Sequence, residues 1–197
     1  MRDQVTALIL AGGKATRLGG AAKHELVVEG RTIFERQVSV LAPRVQEILV
    51  ATAHDIPGHR CVRDVLPDVG PLAGIAAGLR AMQTPWLLVV AGDMPYLSGD
   101  VLDLALAAAN VLDEAVAFRL HGLPEPLTCL LSRRAAPAVE RRLQARRNKV
   151  AGLFTEERLH VRWVDEAAVR AVDPALRAFV NVNEPEDLRG ITGSKPA

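Results

Sequence analysis

The sequence predicts an α/β protein with a doubly wound, mostly parallel sheet and helices on both faces, a Rossmann-like architecture. Three observations carry this expectation. Short apolar runs alternate with longer stretches of helical spacing. Several of the short runs are apolar throughout, as strands covered on both sheet faces are. Polar, glycine-containing segments leave the ends of these runs, and the carboxyl ends of strands are where open α/β sheets bind ligands.

Each element follows from the local pattern. "VTALIL" (5–10) reads as the first strand, and the helix over 32–42 lines Ile33, Val38 and Leu41 along one face. "EILVAT" (47–52) is the second strand, and a short strand, "CVRDV", ends near Asp64. A helix over 71–82 leads to the strand "WLLVVAG" (86–92). The helix over 101–110 turns Leu102, Ala105, Leu106 and Ala109 to one side. Strands follow at 115–120 and 126–132, a helix at 134–146, and strands at 159–164 and 178–182. A last helix is expected from Pro185, whose first turn carries Glu186 and Asp187 at the positive end of the dipole. With no repeat, low-complexity segment or long linker, one domain is expected over 1–190, followed by a tail at 191–197.

Composition narrows the function. The 197 residues suffice for a sizeable core, and a net charge of +1 gives no global pull toward nucleic acid or a membrane. No apolar run reaches the roughly 20 residues that span a bilayer, and the amino terminus lacks a signal-peptide pattern. Cys61 and Cys129 read as reduced core residues, so a cytoplasmic protein is expected. The five histidines show no zinc-ligand spacing. Two tryptophans, one tyrosine and four phenylalanines make no base-stacking platform. The arginines between Arg133 and Lys149 read as a solvated helix face, with a phosphorylated acceptor or a protein partner as the competing use.

Chemistry concentrates at two strand ends. In "LILAGGKATRLGGAAKHEL" (8–26), Gly12, Gly13, Gly19 and Gly20 permit close backbone approach, and successive amides can cradle phosphate oxygens. Arg17 offers a forked donor and Lys23 a point charge. A plain turn is the competing reading, but it has no use for three cations. The spacing is neither a P-loop nor a dinucleotide fingerprint. At the end of "WLLVVAG", Asp93 has the position and chemistry of a Mg²⁺ ligand, since Mg²⁺ takes one or two carboxylates plus substrate oxygens. A turn-capping aspartate is the alternative. Asn181 and Asn183, alternating in the expected last strand, point the same way.

The form L-A-G-G-x-x-x-R-x-G-G-x-x-K resembles the small nucleotidyltransferases, and most of all the molybdenum cofactor guanylyltransferases. The resemblance recurs in order through "GPLAGIAAGL" (70–79), "VVAGDMPYL" (89–97), "EPLTCLL" (125–131) and "FVNVNEPEDL" (179–188). It implies GMP transfer from GTP to the phosphate of molybdenum-bearing molybdopterin, with Mg²⁺ as the cofactor. Loop amides of Leu10, Ala11, Gly12 and Gly13, with Arg17 and Lys23, then hold the triphosphate. Asp93 holds metal and nucleotide, Asp64 (with Asp68 as its competitor) binds nucleotide, and Asn181 and Asn183 lie on the acceptor side. The segment from Gly70 to Gly78 either brings a helix start to the nucleotide or lets the helix pack closely. A molybdoenzyme chaperone is an open partner, and the chain reads as a monomer or weak homo-oligomer. Two departures are visible: Ala22 stands where the family has aspartate, and Ala51-Thr52-Ala53 where it has asparagine. A related enzyme using CTP or another nucleotide, and a nucleotide-binding domain without catalysis, therefore stay open.

Overall fold

The computed structural model describes residues 1–12, 23–63 and 69–182, with Lys23 described through its backbone alone. Gly13, Arg17, Asp64, Asp68, Asn183, the helix expected from Pro185 and the tail at 191–197 lie outside the described residues.

Seven strands form one sheet, flanked by a two-stranded ribbon. In chain order the strands are β1 (Val5–Leu10), β2 (Val27–Val28), β3 (Arg31–Thr32), β4 (Glu47–Ala51), β5 (Arg60–Val62), β6 (Trp86–Ala91), β7 (Ala115–Leu120), β8 (Leu123–Ser132) and β9 (Val161–Asp165). The α-helices are α1 (Ile33–Leu41), α2 (Pro71–Ala81), α3 (Gly99–Ala108), α4 (Ala136–Gln144), α5 (Ala151–Thr155) and α6 (Glu166–Val172). The sheet order is β5-β4-β1-β6-β8-β7-β9, and all neighbours are parallel except β8, which opposes both β6 and β7. β8 runs antiparallel because it returns from β7 through His121-Gly122, both at positive φ (52° and 77°), the conformation that a two-residue hairpin requires.

The central strands are mostly apolar because each face meets its own helices. On one face Leu8, Leu49, Val89 and Leu131 pack with Leu72, Ile75 and Leu79 of α2 and with α4 and α5. On the other, Ala7, Ile9, Val50, Val90 and Leu130 pack with Leu41 of α1, with Val101, Leu102 and Ala105 of α3, and with Val169 of α6. Each fully buried leucine or valine adds roughly 1.5–3 kcal/mol of apolar burial. α2 lies close on β1 because residue 78 has no side chain: a Cβ there would fall 2.7 Å from Leu8 Cδ2. Close packing therefore accounts for Gly78, while Gly70, at φ 89°, makes the left-handed entry to the helix ahead of Pro71.

Two expectations change. The strand expected at 178–182 is absent among the described residues; Arg177–Phe179 forms a 3-10 turn after Leu176, which takes φ 54°. β6 already has β1 and β8 on its two sides, so no free ladder edge remains beside Asp93 for another strand. Nor is the arginine-rich stretch one solvated face. Arg142 is 2% exposed, donating to Glu156 Oε2 (3.1 Å) and to the Lys149 carbonyl (3.1 Å). Arg133 caps the Met82 and Thr84 carbonyls, and Arg134 those of Val111 and Asp113. No helix among the described residues is long and apolar enough to cross a membrane.

Candidate active site

The register brings the two predicted strand ends together. Leu10 at the end of β1 lies opposite Ala51 of β4 on one side and Ala91 of β6 on the other. Beyond these pairs the loops remain laced. The Ala11 N–H donates to the Ala51 carbonyl (3.0 Å), and the Gly92 N–H donates to the Leu10 carbonyl (3.0 Å). Gly92 has to be glycine for this approach, since a Cβ would sit 2.7 Å from the Leu10 oxygen and 3.2 Å from Ala11 Cα. Gly12, just past the crossing, is exposed. Leu10, Ala11, Gly12 and Asp93 thus share the carboxyl edge of adjacent parallel strands, as the doubly wound fold requires of a ligand site.

Asp93 is half-buried, and its loop is held from three directions. β1 takes the Gly92 N–H. From α1, the Gln37 side-chain amide donates to the Ala91 carbonyl (2.7 Å) and the Met94 carbonyl (3.1 Å). From the C-terminal segment, the Val182 N–H donates to the Asp93 carbonyl (2.9 Å). Val182 is fully buried against Val28 and Ile33, with Tyr96 packed alongside. This anchor brings exposed Asn181 next to the Asp93 loop without a strand to carry it. Tyr96 is itself flanked by Arg36 and Arg177, whose guanidinium carbons lie 5.7 Å and 4.3 Å from its ring centre.

Lys23 opens a short 3-10 turn, Lys23–Glu25, that lies against α1. Its neighbour His24 is buried and meets the Phe34 ring edge-on at 6.0 Å. Burial holds the His24 imidazole below its usual value, partly offset by Glu25. After β4, Thr52 is buried and its hydroxyl accepts the His54 N–H (3.3 Å), so this side chain is committed to a local turn.

Two residues at this end carried weaker signals in the sequence. Gln37 sits one helical turn from Ile33 and one from Leu41, a polar residue on the core-facing stripe of α1. That spacing was the readable signal. Glu125 precedes Thr128, which pairs with Val90 of antiparallel β6, so it lies beyond the carboxyl end of β6. Burial raises the Glu125 carboxyl above its usual range, against a lowering hydrogen bond from the Leu127 backbone. Burial, and then the Glu125 charge, push the Cys129 thiol up as well.

Among the described residues no three His, Cys, Asp or Glu side chains cluster to form a metal cage. A half-buried carboxylate at a strand end has the chemistry to hold Mg²⁺, which takes one or two carboxylates and completes its shell with other oxygens.

Comparison with known proteins agrees with this layout. The MobA-like NTP transferase domain family matches residues 7–161. A probable molybdenum cofactor guanylyltransferase of Methanosarcina acetivorans is 33% identical, over 96% of this chain and 90% of its own length. One from Chloroflexus aggregans is 36% identical, over 94% and 92%. Among solved structures, molybdopterin-guanine dinucleotide biosynthesis protein A of Archaeoglobus fulgidus superposes with a TM-score of 0.75 at 25% identity, covering 94% of this chain and 95% of its own. The 2-C-methyl-D-erythritol 4-phosphate cytidylyltransferase of Thermus thermophilus, at 23% identity and a TM-score of 0.64, shares the fold. A family match over most of the chain, which takes in the carboxyl end of β1 and the whole of α2 and β6, makes this protein a nucleotidyltransferase of the MobA-like NTP transferase family.

Proposed function

We propose that the protein transfers GMP from GTP to the terminal phosphate of molybdenum-bearing molybdopterin. The observation that carries this reading is the lacing of the Leu10–Gly12 loop to the Asp93 loop across adjacent parallel strands. It is supported by the names of the relatives, guanylyltransferases at about one-third identity over nearly the whole chain.

An acceptor phosphate oxygen attacks the α-phosphorus of GTP in line. The new P–O bond forms as the bond from the α-phosphorus to the α,β-bridging oxygen breaks, and pyrophosphate leaves with that electron pair. The acceptor is already anionic near neutral pH, so positioning and charge stabilisation are the protein's task. Backbone amides of Leu10 to Gly13, with Arg17 and Lys23, bind the triphosphate in this reading, and Asp64 also binds the nucleotide. Asp93 would hold Mg²⁺, which when bound would supply charge neutralisation at the phosphates. Asn181 and Asn183 orient the acceptor phosphate.

One observation favours a second reading, transfer of another nucleotide such as CMP. The stretch Ala51-Thr52-Ala53 offers small side chains where the family has asparagine, and the Thr52 hydroxyl, which accepts the His54 N–H, has only its own O–H to donate. Calorimetric titration with GTP, CTP and ATP, each with Mg²⁺, separates the two. GTP selectivity that weakens at least about tenfold, about 1.4 kcal/mol, in Asp93→Ala is the expected result. A preference for CTP replaces the base while keeping the chemistry. No Mg²⁺-dependent binding of any nucleotide overturns the enzymatic reading.

A further inference from the structure

We propose that Gln37 is a positioning residue for nucleotidyl transfer, holding Asp93 at the height its metal and nucleotide require. This rests on the functional reading above. Gln37 is fully buried on α1, an uncommon place for a carboxamide, and it makes no contribution that an aliphatic side chain of its size could not make to packing.

Its hydrogen bonds say what the amide is for. The two N–H groups go to Ala91 and Met94, the carbonyls immediately before and after the Gly92-Asp93 pair. One planar group therefore spans the loop and fixes the distance between its two limbs. The amide orientation is forced, because turning it over would set its oxygen against two carbonyl oxygens. The cost is visible at the other end: Gln37 Oε1 is buried with no hydrogen-bond partner among the described residues. An unpaired buried acceptor is destabilising, so the residue serves its donors at the expense of the core. Without Gln37 the Ala91 and Met94 carbonyls lose those donors, and the loop loses its side-chain tie to the buried face of α1. Arg36, one residue earlier, extends the same brace by donating to the Pro95 carbonyl (3.0 Å). α1 thus sets the loop from Ala91 to Pro95 as a unit.

The chemical step depends steeply on geometry; an ångström of displacement costs on the order of 100-fold. Nucleotide binding, spread over the amides of another loop, depends on it less. Gln37→Met keeps length and shape while deleting both donors. The expected result is a 10- to 100-fold fall in kcat, roughly, and a higher Mg²⁺ requirement, with the nucleotide KM within about twofold of wild type. In the ligand-free protein, hydrogen exchange at the Val182 amide, which is bonded to the Asp93 carbonyl, is expected to quicken by about tenfold or more. Val169→Ala, a core truncation on α6 against the same sheet face, is the control and should move neither readout beyond its effect on melting temperature.

Unchanged exchange at Val182 in Gln37→Met overturns the proposal. So does faster exchange with kcat and Mg²⁺ dependence intact, or a Val169→Ala variant that reproduces both changes. Should Gln37→Met fail to fold, Gln37→Glu keeps the shape and, protonated, one donor; an intermediate loss that eases at lower pH is then expected, and a pH-independent full loss overturns the assignment. Failure of the functional reading looks different, because wild type itself then shows no Mg²⁺-dependent transfer and Asp93→Ala changes nothing.

Discussion

Gly92 shows how little freedom the site has at a single position. Replacing it with alanine puts a methyl group against the Leu10 carbonyl, backbone that cannot step aside cheaply. Overpacking of this kind costs about 1–3 kcal/mol, and relief must come by parting the ends of β1 and β6. Gly92→Ala is therefore expected to weaken nucleotide binding by more than its stability loss alone accounts for, as calorimetry alongside thermal melting would reveal; binding at the wild-type level in a destabilised variant would show the loops can part harmlessly. Glu125 makes a prediction of opposite sign. Its folded carboxyl titrates above the usual value of 4.5, so between that value and its folded one the native state carries more protons than the unfolded chain. Stability then falls as pH rises through this window, and the favourable contribution is complete only below it. Glu125→Gln is expected to melt higher than wild type at neutral pH and no higher at pH 4. Melting curves at the two pH values check this, and equal gains at both would mean that burial of the charge is not the cause.

At the scale of elements, α1 carries more of the site than its sequence announces. It starts at a reciprocal cap: the Glu35 N–H donates to Thr32 Oγ1 (3.1 Å), and the Thr32 N–H donates to Glu35 Oε2 (2.8 Å). Thr32→Ala should cost about 1 kcal/mol in urea denaturation. The hydrogen bonds from Thr32 hold the Glu35 carboxyl below its usual range, and losing the hydroxyl should move its NMR titration up toward that range. A titration that stays put would assign the shift to the backbone bond alone. The strands were the most legible elements, since β1 and β6 have helices on both faces and so read as apolar runs, broken in β1 by Thr6 alone. The predicted limits of β1 and β7 match the observed strands. α5 and α6 escaped because five and seven residues are too short to show a period. The stretch 178–182 read as a strand from its apolar character, but the partner of Val182 is a loop carbonyl, which no local pattern encodes. Among the candidate site residues, Gly12 and Asp93 were readable as a glycine and a carboxylate just past strand ends, while Leu10 and Ala11 were named only by their position at the end of the first strand. Gln37 and Glu125 were harder, because their roles depend on which carbonyls and which antiparallel neighbour tertiary pairing brings to them.

Over the whole molecule, the two laced loops leave β1 and β6, neighbours at the centre of the sheet, and residues of both strands enter both apolar cores. A ligand that ties these loops together therefore acts on the frame shared by all the helices and not on a separable appendage. Binding to the folded state alone adds about 2.7 kcal/mol at a ligand concentration 100 times Kd. For a chain of this length each kilocalorie moves the melting temperature by about 2–4 °C, so saturation with Mg²⁺ and the preferred nucleotide is expected to raise it by about 5–11 °C. Asp93→Ala, compared with its own ligand-free melting temperature, should lose most of the shift. A thermal-shift series with GTP, CTP and ATP, with and without Mg²⁺, reads both quantities together. Equal shifts with all three would mean that the protein grips phosphates and metal without selecting the base, consistent with the small side chains at Ala51 and Ala53. A large shift with one base alone would mean that selection comes from residues other than the missing asparagines. A shift that persists in Asp93→Ala would remove the carboxylate from the metal site and require another ligand in its stead.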